Sequence, residues 1–301
     1  MKRLKFLISL RAENNSYQKQ NAIASQEAAN RLGVDVEITY ANNDALQQGD
    51  DLLKAIRSSK DSRPDGILCA PVGTTLLRVA TEAAGAGIAW AIVNRESDYP
   101  KEFHKNSAAP VFSVCVDHAE VGRIQGRQMG ALLPQGGLSL CFVGPSGHPL
   151  RDQRLAGVEE TKPSNVELRT IITDWTEESA YKAALKWLQS RAPYAGKVTL
   201  VAGQNDDTAM GARKAFEDQG GDAGKRWKSI PYIGCDYLPG TGQEWIRRGL
   251  LRASIVNPPA AGIAIEMMVK AIKAKERPPA QATVTPVSYP SIQELAKDQA
   301  R

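Results

Sequence analysis

Short apolar runs alternate with single helical patterns along most of the chain, and this alternation limits the folds open to it. In residues 198–216 a run of β-branched and aliphatic side chains predicts a buried strand, after which Ala209, Ala212 and Phe216 recur at helical spacing. Strands that alternate with single helices imply right-handed crossovers and a parallel sheet with helices on both faces. The pattern therefore predicts an α/β fold of doubly wound parallel sheets.

The alternation runs through two successive series. Strands of the first series are predicted at 4–10, 34–40, 66–70 and 88–93; a polar, Pro-containing stretch at 96–110 then breaks the pattern, which resumes with a strand at 111–116. Those of the second are predicted at 138–143, 166–172, 230–235 and 252–256, besides the stretch above, with a last strand at 283–288. Because 301 residues exceed the ~100–200 usual for one domain, we expect two similar lobes joined by several chain crossings.

Helical spacing also predicts which side chains face the core. The predicted core faces are Leu46, Leu53 and Ile56 in a helix over 45–57, and Leu77, Ala80 and Ala84 in a helix over 74–86. The four cysteines, Cys69, Cys115, Cys141 and Cys235, lie inside apolar strand runs, and their spacing matches no metal site. We interpret them as small core residues.

Charge and hydropathy exclude several classes of protein. The net charge is +5, but Lys and Arg are interspersed with Asp and Glu, so nucleic acid is not an expected partner. No run reaches the ~18 apolar residues of a membrane span. The apolar part of the first eleven residues is short and contains Lys5, which favours a first strand over a signal peptide. Either the protein is cytoplasmic or a leader preceded this chain.

Polar side chains cluster where predicted strands run into helices, the place where open parallel sheets bind ligands. The clusters are Asn14, Asn15, Tyr17 and Gln18 after the first strand; Asn94 and Arg95; His148, Arg151 and Arg154; Asp174, Trp175 and Thr176; Gln204, Asn205 and Asp206; Asp236 and Tyr237; and Asn257. Sugar hydroxyls take hydrogen bonds from such Asn, Asp and Arg side chains, while sugar C–H faces pack on Tyr or Trp.

Several of these residues also have a structural interpretation. Trp175 is placed to pack on the core at a helix start, and His148 precedes a proline and can simply shape a turn. Arg151 and Arg154 are three residues apart, so one of them is expected in a solvated ion pair. Asp206 or Asp207 can cap the helix that follows. Arg95 is harder to explain this way, since a strand end has no structural need for an arginine.

The motifs together resemble the sugar-binding periplasmic proteins of the ribose/galactose type, which share their fold with the effector domains of lac-repressor-like regulators. The resemblance covers nearly the whole chain. It rests on Gln204-Asn205-Asp206 followed by Ala209-Met210-Gly211-Ala212, on Gly234-Cys235-Asp236, on Asn94-Arg95 in place of the family's Asp-Arg, and on Asn14-Asn15-Ser16-Tyr17 in place of its Asn-Asn-Pro-aromatic. Gly147-His148-Pro149 with Arg154 is similar to the galactose-binding branch.

The resemblance implies two lobes, residues 1–115 with 257–285 and residues 116–256 with 286–301, joined by a three-crossing hinge that closes on the ligand. It implies that nine residues line the cleft: Asn15, Tyr17, Asn94, Arg95, Arg154, Trp175, Asn205, Asp236 and Asn257. To these the polar clusters add Gln18, His148 and Arg151 as candidate ligand residues. The implied function is a periplasmic receptor that captures a sugar and delivers it to an ABC permease, with no cofactor.

Two departures from the family pattern bear on the ligand. Asn94 replaces a carboxylate and Gln18 replaces an aromatic residue, so several Arg and His side chains are opposed mainly by Asp236. This balance supports the hypothesis of a sugar acid or phosphorylated sugar.

Two other classes of function stay open. A cytoplasmic or signalling sensor domain, expected to have no DNA-binding domain, is the alternative to a transport receptor. An enzyme is not expected, since the sequence has no Gly-x-Ser-x-Gly elbow, phosphate loop or metal-spaced His cluster.

Overall fold

The computed structural model describes residues 3–73, 76–95 and 97–299. The chain forms two compact units: unit 1 is Met1–Val116 with Pro259–Val284, and unit 2 is Asp117–Pro258 with Thr285–Arg301. The strands are β1 Lys5–Leu10, β2 Asp35–Tyr40, β3 Gly66–Cys69, β4 Ala89–Val93, β5 Val111–Val116, β6 Gly137–Val143, β7 Val166–Ile172, β8 Val198–Gly203, β9 Tyr232–Ile233, β10 Ser254–Val256, β11 Gln281–Val284 and β12 Val287–Tyr289.

Helices follow most of the strands, as the alternation predicts. They are α1 Ser16–Leu32, α2 Ala45–Ile56, α3 Leu77–Gly85, α4 Tyr99–Asn106, α5 His118–Leu132, α6 Pro149–Thr161, α7 Glu177–Ala195, α8 Asp206–Glu217, α9 Gly221–Ser229, α10 Gly242–Arg247, α11 Ala260–Lys273 and α12 Ile292–Gln299. None of the helices in the described part of the chain combines the length and the apolar character that a membrane crossing requires.

Unit 1 is a parallel sheet covered on both faces. Its order is β11-β5-β4-β3-β1-β2, and every pair is parallel. Helices α1 and α11 cover one face through residues such as Ala29 and Met268, and α2 and α3 cover the other around the fully buried Trp90. The predicted doubly wound α/β architecture is confirmed here.

Unit 2 contains a second parallel sheet, ordered β7-β6-β8-β9. Parallel bridges from Ile233 to Ala253 and from Asp236 to Val256 extend it to β10. One face packs on α7 and α8, where the Phe216 ring stacks on Trp227 with centroids 4.0 Å apart. The other face packs on α5 and α6. Strand β10 also pairs antiparallel with β12, which adds an element that the parallel pattern did not predict.

The predicted core faces of α2 and α3 are wrong at their first residues only, since Ile56 and Ala80 are buried and Leu53 and Ala84 pack partly buried against the core. Leu46 is 81% exposed and Leu77 is 47% exposed. The buried side chains are Gln48, Leu52 and Ile56 in α2 and Val79, Ala80 and Ala83 in α3. In α2 a polar residue takes a core position because its amide is fully used: Gln48 Nε2 donates to Ser9 Oγ and to the Ala70 carbonyl, and its oxygen accepts from the Val72 amide. The predicted start of α3 at Thr74 lies outside the described residues.

The end of the chain also differs from the prediction. The single strand predicted at 283–288 is two strands, because Pro286, which has no N–H to donate, interrupts the run. Strand β11 pairs parallel with β5 in unit 1, and β12 pairs antiparallel with β10 in unit 2. The stretch 96–110 contains α4, whose proline lies in the first turn, where no intrahelical N–H is needed.

All four cysteines are buried, as predicted for small core residues. Burial raises the pKa of the Cys141 thiol to about 12. At neutral pH this side chain therefore stays a neutral thiol in the core of unit 2.

Candidate functional site

Because the strands of each sheet are parallel, their carboxyl ends lie along one edge. In unit 1 this edge is formed by the residues that follow β1, β3 and β4, and we call it the unit 1 edge. In unit 2 it is formed by the residues that follow β6 to β10, and we call it the unit 2 edge. The predicted site residues lie on these two edges, and each edge is described separately.

Only residues 11–15 connect β1 to α1, which begins at Ser16. Asn15 is the N-cap, and its Oδ1 accepts from the Gln18 amide at 3.1 Å. Tyr17 and Gln18 fall in the first turn and are buried. Gln18 Oε1 accepts from the Arg11 amide at 3.3 Å. The Asn15 and Gln18 side chains therefore hold the start of α1 against the end of β1.

The residues after β4 combine an unusual backbone with a fixed guanidinium. Asn94 has a φ of 60°, in the left-handed region that asparagine tolerates. Its Oδ1 is buried and accepts no hydrogen bond from the described residues. Arg95 Nη1 donates to the Gly73 carbonyl at 2.9 Å. The strand end thus does have a structural use for Arg95, which ties β4 to the loop after β3.

Arg11 belongs to the unit 1 edge but was not selected from the sequence. Burial and then the positive charge of Arg95 lower the pKa of Arg11, and burial lowers the pKa of Arg95. Arg11 and Arg95 thus both lie at the carboxyl ends of the unit 1 strands. The sequence signal for Arg11 is its position directly after the buried strand β1.

On the unit 2 edge, Trp175 is held in a fixed orientation. Its φ is 66°, and its indole Nε1 donates to Gln204 Oε1 at 3.3 Å. Asn205 Nδ2 donates to the Trp175 carbonyl at 2.9 Å, and the His148 ring meets the indole edge to face with centroids 4.7 Å apart. His148 is also the N-cap of α6. Asn205, Trp175 and His148 are thus brought together.

Gln204, which is not among the predicted ligand residues, connects the loops of this edge. Its Oε1 also accepts from the Gly144 amide at 3.0 Å, and its Nε2 donates to the Arg151 carbonyl at 3.0 Å. Arg154 donates to its backbone carbonyl. This one buried side chain therefore fixes the loops after β6, β7 and β8 relative to one another.

The two arginines of α6 have different environments, as their spacing predicts. Arg154 is buried, and its Nη2 lies 3.3 Å from His118 Nδ1. Arg151 forms an ion pair with Asp152 at 3.1 Å. Arg154 therefore belongs to the buried part of the unit 2 edge, whereas the Arg151 guanidinium pairs with Asp152.

The acidic centre of the unit 2 edge is Asp236, three residues after the end of β9. Its φ is 111°, and its Oδ1 accepts from Asn257 Nδ2 at 2.9 Å. Burial raises the pKa of Asp236 to about 7, against the opposing effect of Arg154. Asn257 Oδ1 is buried and accepts no hydrogen bond from the described residues. Acid, amide and guanidinium thus converge at one strand-end position.

Asp206 and Asp207 do not cap α8 as expected; Asn205 does, in a capping box with Thr208. The Asp206 carboxylate instead accepts from Ser254 Oγ at 2.7 Å and from the Tyr237 amide at 2.8 Å. Burial and then Asp236 raise the pKa of Asp206 well above its usual value. Through these hydrogen bonds Asp206 links the end of β8 to β10 and to the loop after β9. Among the described residues, no three His, Cys, Asp or Glu side chains are placed to hold a metal ion.

The buried carboxyl of Asp236 predicts a dependence of stability on pH. Its pKa of about 7 in the folded protein lies above the ordinary 3.8, so the folded state retains a proton that the unfolded state releases. Wild-type stability therefore falls as pH rises through this window. Relative to wild type, Asp236→Asn should gain ~2–3 kcal/mol in the free energy of unfolding between pH 5 and pH 8. Urea denaturation at both pH values measures this gain. The prediction is contradicted if the difference in unfolding free energy between the variant and wild type is the same at pH 5 and pH 8.

The Trp175 indole packs against Gly144, where there is no room for a side chain. We therefore expect the substitution Gly144→Ala to disturb the ring. A Cβ on Gly144 would overlap the indole atoms Cε2 and Cζ2. Gly144→Ala should displace the ring and weaken ligand binding about tenfold, the effect of misplacing one packing face. Calorimetric titration measures the affinity. Gly147→Ala is a local control for the loop, since nothing lies within 4 Å of its Cβ position, although its φ of 73° adds backbone strain.

Comparisons with known proteins agree with this architecture. The sequence pattern of the family described as periplasmic binding protein domain matches residues 6–276. No curated protein matches the chain. Similar solved structures include the following three, which match over nearly their whole length at identities that show the fold alone.

The first is a periplasmic solute binding protein of an ABC transporter from Actinobacillus succinogenes 130z with bound D-allose: TM-score 0.82, 20% identity, 98% of this chain and 100% of that chain covered. The second is the periplasmic binding protein component of the arabinose ABC transporter from Shewanella sp. ANA-3, bound to L-arabinofuranose. It has a TM-score of 0.79 and 19% identity, and the match covers 98% of this chain and 96% of that chain. The third is the fructose binding periplasmic domain of a hybrid two component system. It has a TM-score of 0.76 and 19% identity, and the match covers 99% of this chain and 94% of that chain.

Proposed function

The chain belongs to the periplasmic binding protein domain family, and from this premise we propose that it is a solute-binding receptor that captures a sugar or sugar-like ligand and delivers it to an ABC importer. The proposal includes an extracytoplasmic location, as in the family, and release of the ligand chemically unchanged. It also includes the predicted lobes and hinge closure, which stay predictions.

The observation that carries the proposal is the convergence of Asp236, Asn257 and Arg154 on the unit 2 edge beside Trp175. Burying a carboxyl and a guanidinium is unfavourable, and a fold does not need to do so at a strand end. Asn257 Oδ1 is an acceptor that the described residues leave unused. Hydroxyl groups that donate to Asp236 and Asn257 and accept from Arg154 fit this set, and Trp175 offers a face for C–H groups.

We propose that side chains of both edges contact the ligand. From the unit 1 edge these are Asn15, Tyr17, Gln18, Asn94 and Arg95; from the unit 2 edge they are His148, Arg151, Arg154, Trp175, Asn205, Asp236 and Asn257. Among them, Asn15, Gln18, Arg95 and Asn205 also have structural hydrogen bonds, so their variants need a stability control.

The experiment is the shift in melting temperature against pentoses, hexoses, polyols, sugar acids and sugar phosphates, because a ligand that binds only the folded state raises that temperature. The proposal expects a shift with one class of compound, and a smaller shift in Arg95→Ala. The exposed Arg78, in the same unit, supplies the matched control Arg78→Ala. No shift with any compound contradicts the proposal.

A second candidate function is a sensor domain that passes ligand binding to a signalling partner. The likeness to the fructose binding periplasmic domain of a hybrid two component system favours it. Both functions predict the same ligand-induced shift in melting temperature, but they predict different protein partners. Copurification of the ligand-bound chain with an ABC permease supports transport, and copurification with a histidine kinase supports sensing.

A further inference from the structure

Two consecutive residues of the unit 2 edge have left-handed backbone angles, although neither is glycine. The φ of Asp236 is 111° and that of Tyr237 is 50°. Such angles are unfavourable for residues with a Cβ and persist only where the surrounding structure holds them. Because the backbone torsions of a residue limit where its side chain can point, this turn also sets the direction of the Asp236 carboxyl. The groups that hold the turn therefore control the acidic centre of the edge.

The turn is held by the backbone on one side and by a side chain on the other. The Asp236 amide donates to the Ile255 carbonyl at 2.9 Å, and the Asp206 amide donates to the Cys235 carbonyl at 2.7 Å. The next amide, that of Tyr237, donates to Asp206 Oδ2 at 2.8 Å. The Asp206 carboxyl is thus the group that closes the turn after Asp236.

The Asp206 carboxyl is itself enclosed and fixed in orientation. It belongs to a residue that is 2% exposed, and its Oδ1 accepts from Ser254 Oγ at 2.7 Å. A Cβ on Gly234 would overlap Oδ1, and a Cβ on Gly242 would overlap Oδ2. Glycine at these two positions therefore leaves the space that the carboxyl fills.

The charges around Asp206 are unfavourable for an acid. Burial and then the charge of Asp236 raise its pKa well above the usual value, and Asp207 adds to this effect, whereas the hydrogen bonds from Ser254 and Tyr237 lower it. Because a serine hydroxyl can accept as well as donate, both hydrogen bonds persist when the carboxyl carries a proton. These hydrogen bonds are what an acid in so unfavourable a place supplies to the structure.

Resting on the proposed function, we propose that Asp206 is a positioning residue, which holds the left-handed turn through the Tyr237 amide and thereby directs the Asp236 carboxyl at the ligand. Asp206 does not itself contact the ligand, because both of its oxygens are used within the fold. The two acids thus have separate roles: Asp236 binds hydroxyl groups, and Asp206 orients Asp236. The sequence predicted Asp206 only as a possible helix cap.

The first test needs no ligand and follows the pH titration of the Asp236 carboxyl carbon by NMR, with Asp236→Asn to assign its signal. Burial raises the pKa of this carboxyl to about 7. Arg154 of α6 and hydrogen bonds with Asn257 and Cys235 act against this rise, and Asp207 of α8 adds to it. The midpoint of the titration therefore reports whether the carboxyl keeps its place among these groups.

Two variants of Asp206 remove its charge but differ in hydrogen bonding. Asp206→Ala should let the turn relax and move the Asp236 midpoint from about 7 towards the ordinary 3.8, as the carboxyl reaches water. Asp206→Asn can still accept from the Tyr237 amide and donate to Ser254, so its midpoint should stay near that of wild type. A role in stability alone would lower the melting temperature of Asp206→Ala without moving the midpoint.

The second test measures affinity by calorimetry, with D-ribose, D-galactose and D-galacturonate as probes. For a probe that wild type binds, Asp206→Ala should lower affinity about tenfold. In an Asp236→Asn background the same change should lower it less than about twofold, since Asp206 acts through that residue. Asp206→Asn should retain most of the affinity.

Gly242→Ala is a second variant, which decides the matter if Asp206→Ala does not fold. Its methyl group displaces Asp206 Oδ2 from the Tyr237 amide and leaves the carboxyl in the chain. It should move the Asp236 midpoint and the affinity in the same directions as Asp206→Ala. Gly196→Ala is the matched control in unit 2, because nothing lies within 4 Å of its Cβ position, and it should change neither.

The outcomes separate this inference from the function on which it rests. If the Asp236 midpoint stays in place in Asp206→Ala and Gly242→Ala, or if affinity falls equally with and without the Asp236 carboxylate, the positioning role is wrong and the receptor function stands. If wild type binds none of the probes and none of the compounds in the melting-temperature panel, the receptor function itself is wrong.

Discussion

Replacing Gly122 with alanine should destabilise unit 2 by ~2–4 kcal/mol and lower the melting temperature by about 5–15 °C. Gly122 lies in α5 where this helix crosses α6, and a methyl group on it would overlap the backbone carbonyl of Arg154. A methyl group on Gly157, in α6, would likewise overlap the backbone carbonyl of Ala119. Because backbone atoms, unlike side-chain ends, cannot rotate away, the two helices have to separate.

The matched control is Gly49→Ala, since Gly49 lies inside α2 with nothing within 4 Å of its Cβ position. This change should stabilise unit 1 by ~0.5–1 kcal/mol, the usual advantage of alanine over glycine in a helix. Differential scanning calorimetry measures both variants. A Gly122→Ala protein that melts at or above the wild-type temperature contradicts the close α5–α6 contact. Since α6 carries Arg154, we also expect this variant to bind ligand more weakly.

Replacing Asp236 with asparagine should weaken ligand binding about 100-fold, which corresponds to the loss of ~3 kcal/mol from charge-assisted hydrogen bonds. Asparagine has the same shape and can still accept from Asn257 Nδ2, so the loss reflects the missing charge. The same variant should be more stable than wild type at pH 8. Higher stability with weaker binding is the behaviour of a residue kept for function.

Calorimetric titration of the variant with the ligand found in the panel measures this loss. The control is Asp222→Asn in the same unit, because the Asp222 side chain is 98% exposed. An affinity within threefold of wild type for Asp236→Asn contradicts a direct role of the carboxylate. Wild-type affinity should also rise from pH 6 to pH 8, since the carboxyl with a pKa of about 7 becomes a better acceptor when it ionises.

Most of the fold follows from the alternation of apolar runs and helical patterns, and the family match confirms the predicted resemblance. The strand ends were predictable because buried parallel strands are continuous apolar runs, as in β5 and β8. The exact core face of a helix was not. Gln48 occupies a core position of α2 because three hydrogen bonds satisfy its amide, and those partners are distant in sequence.

The candidate site was predictable to the level of loops but not of side chains. Position after a strand singled out Asp236 and Asn257, which the structure joins by a hydrogen bond. The same rule applies to Gln204 and Arg11, yet neither was selected as a ligand residue. Which of several consecutive polar residues turns into a site depends on backbone torsions and on contacts with other loops, and these are set by tertiary packing.

The most direct test of the receptor function is calorimetric titration of the purified chain with the panel's best ligand, followed by chemical recovery of that ligand. The proposed function predicts one ligand bound per chain, affinity lost in Asp236→Asn and Arg95→Gln but kept in Arg78→Gln, and a ligand recovered unchanged. A ligand recovered in altered form would indicate an enzyme, and binding that survives both variants would place the site elsewhere in the chain.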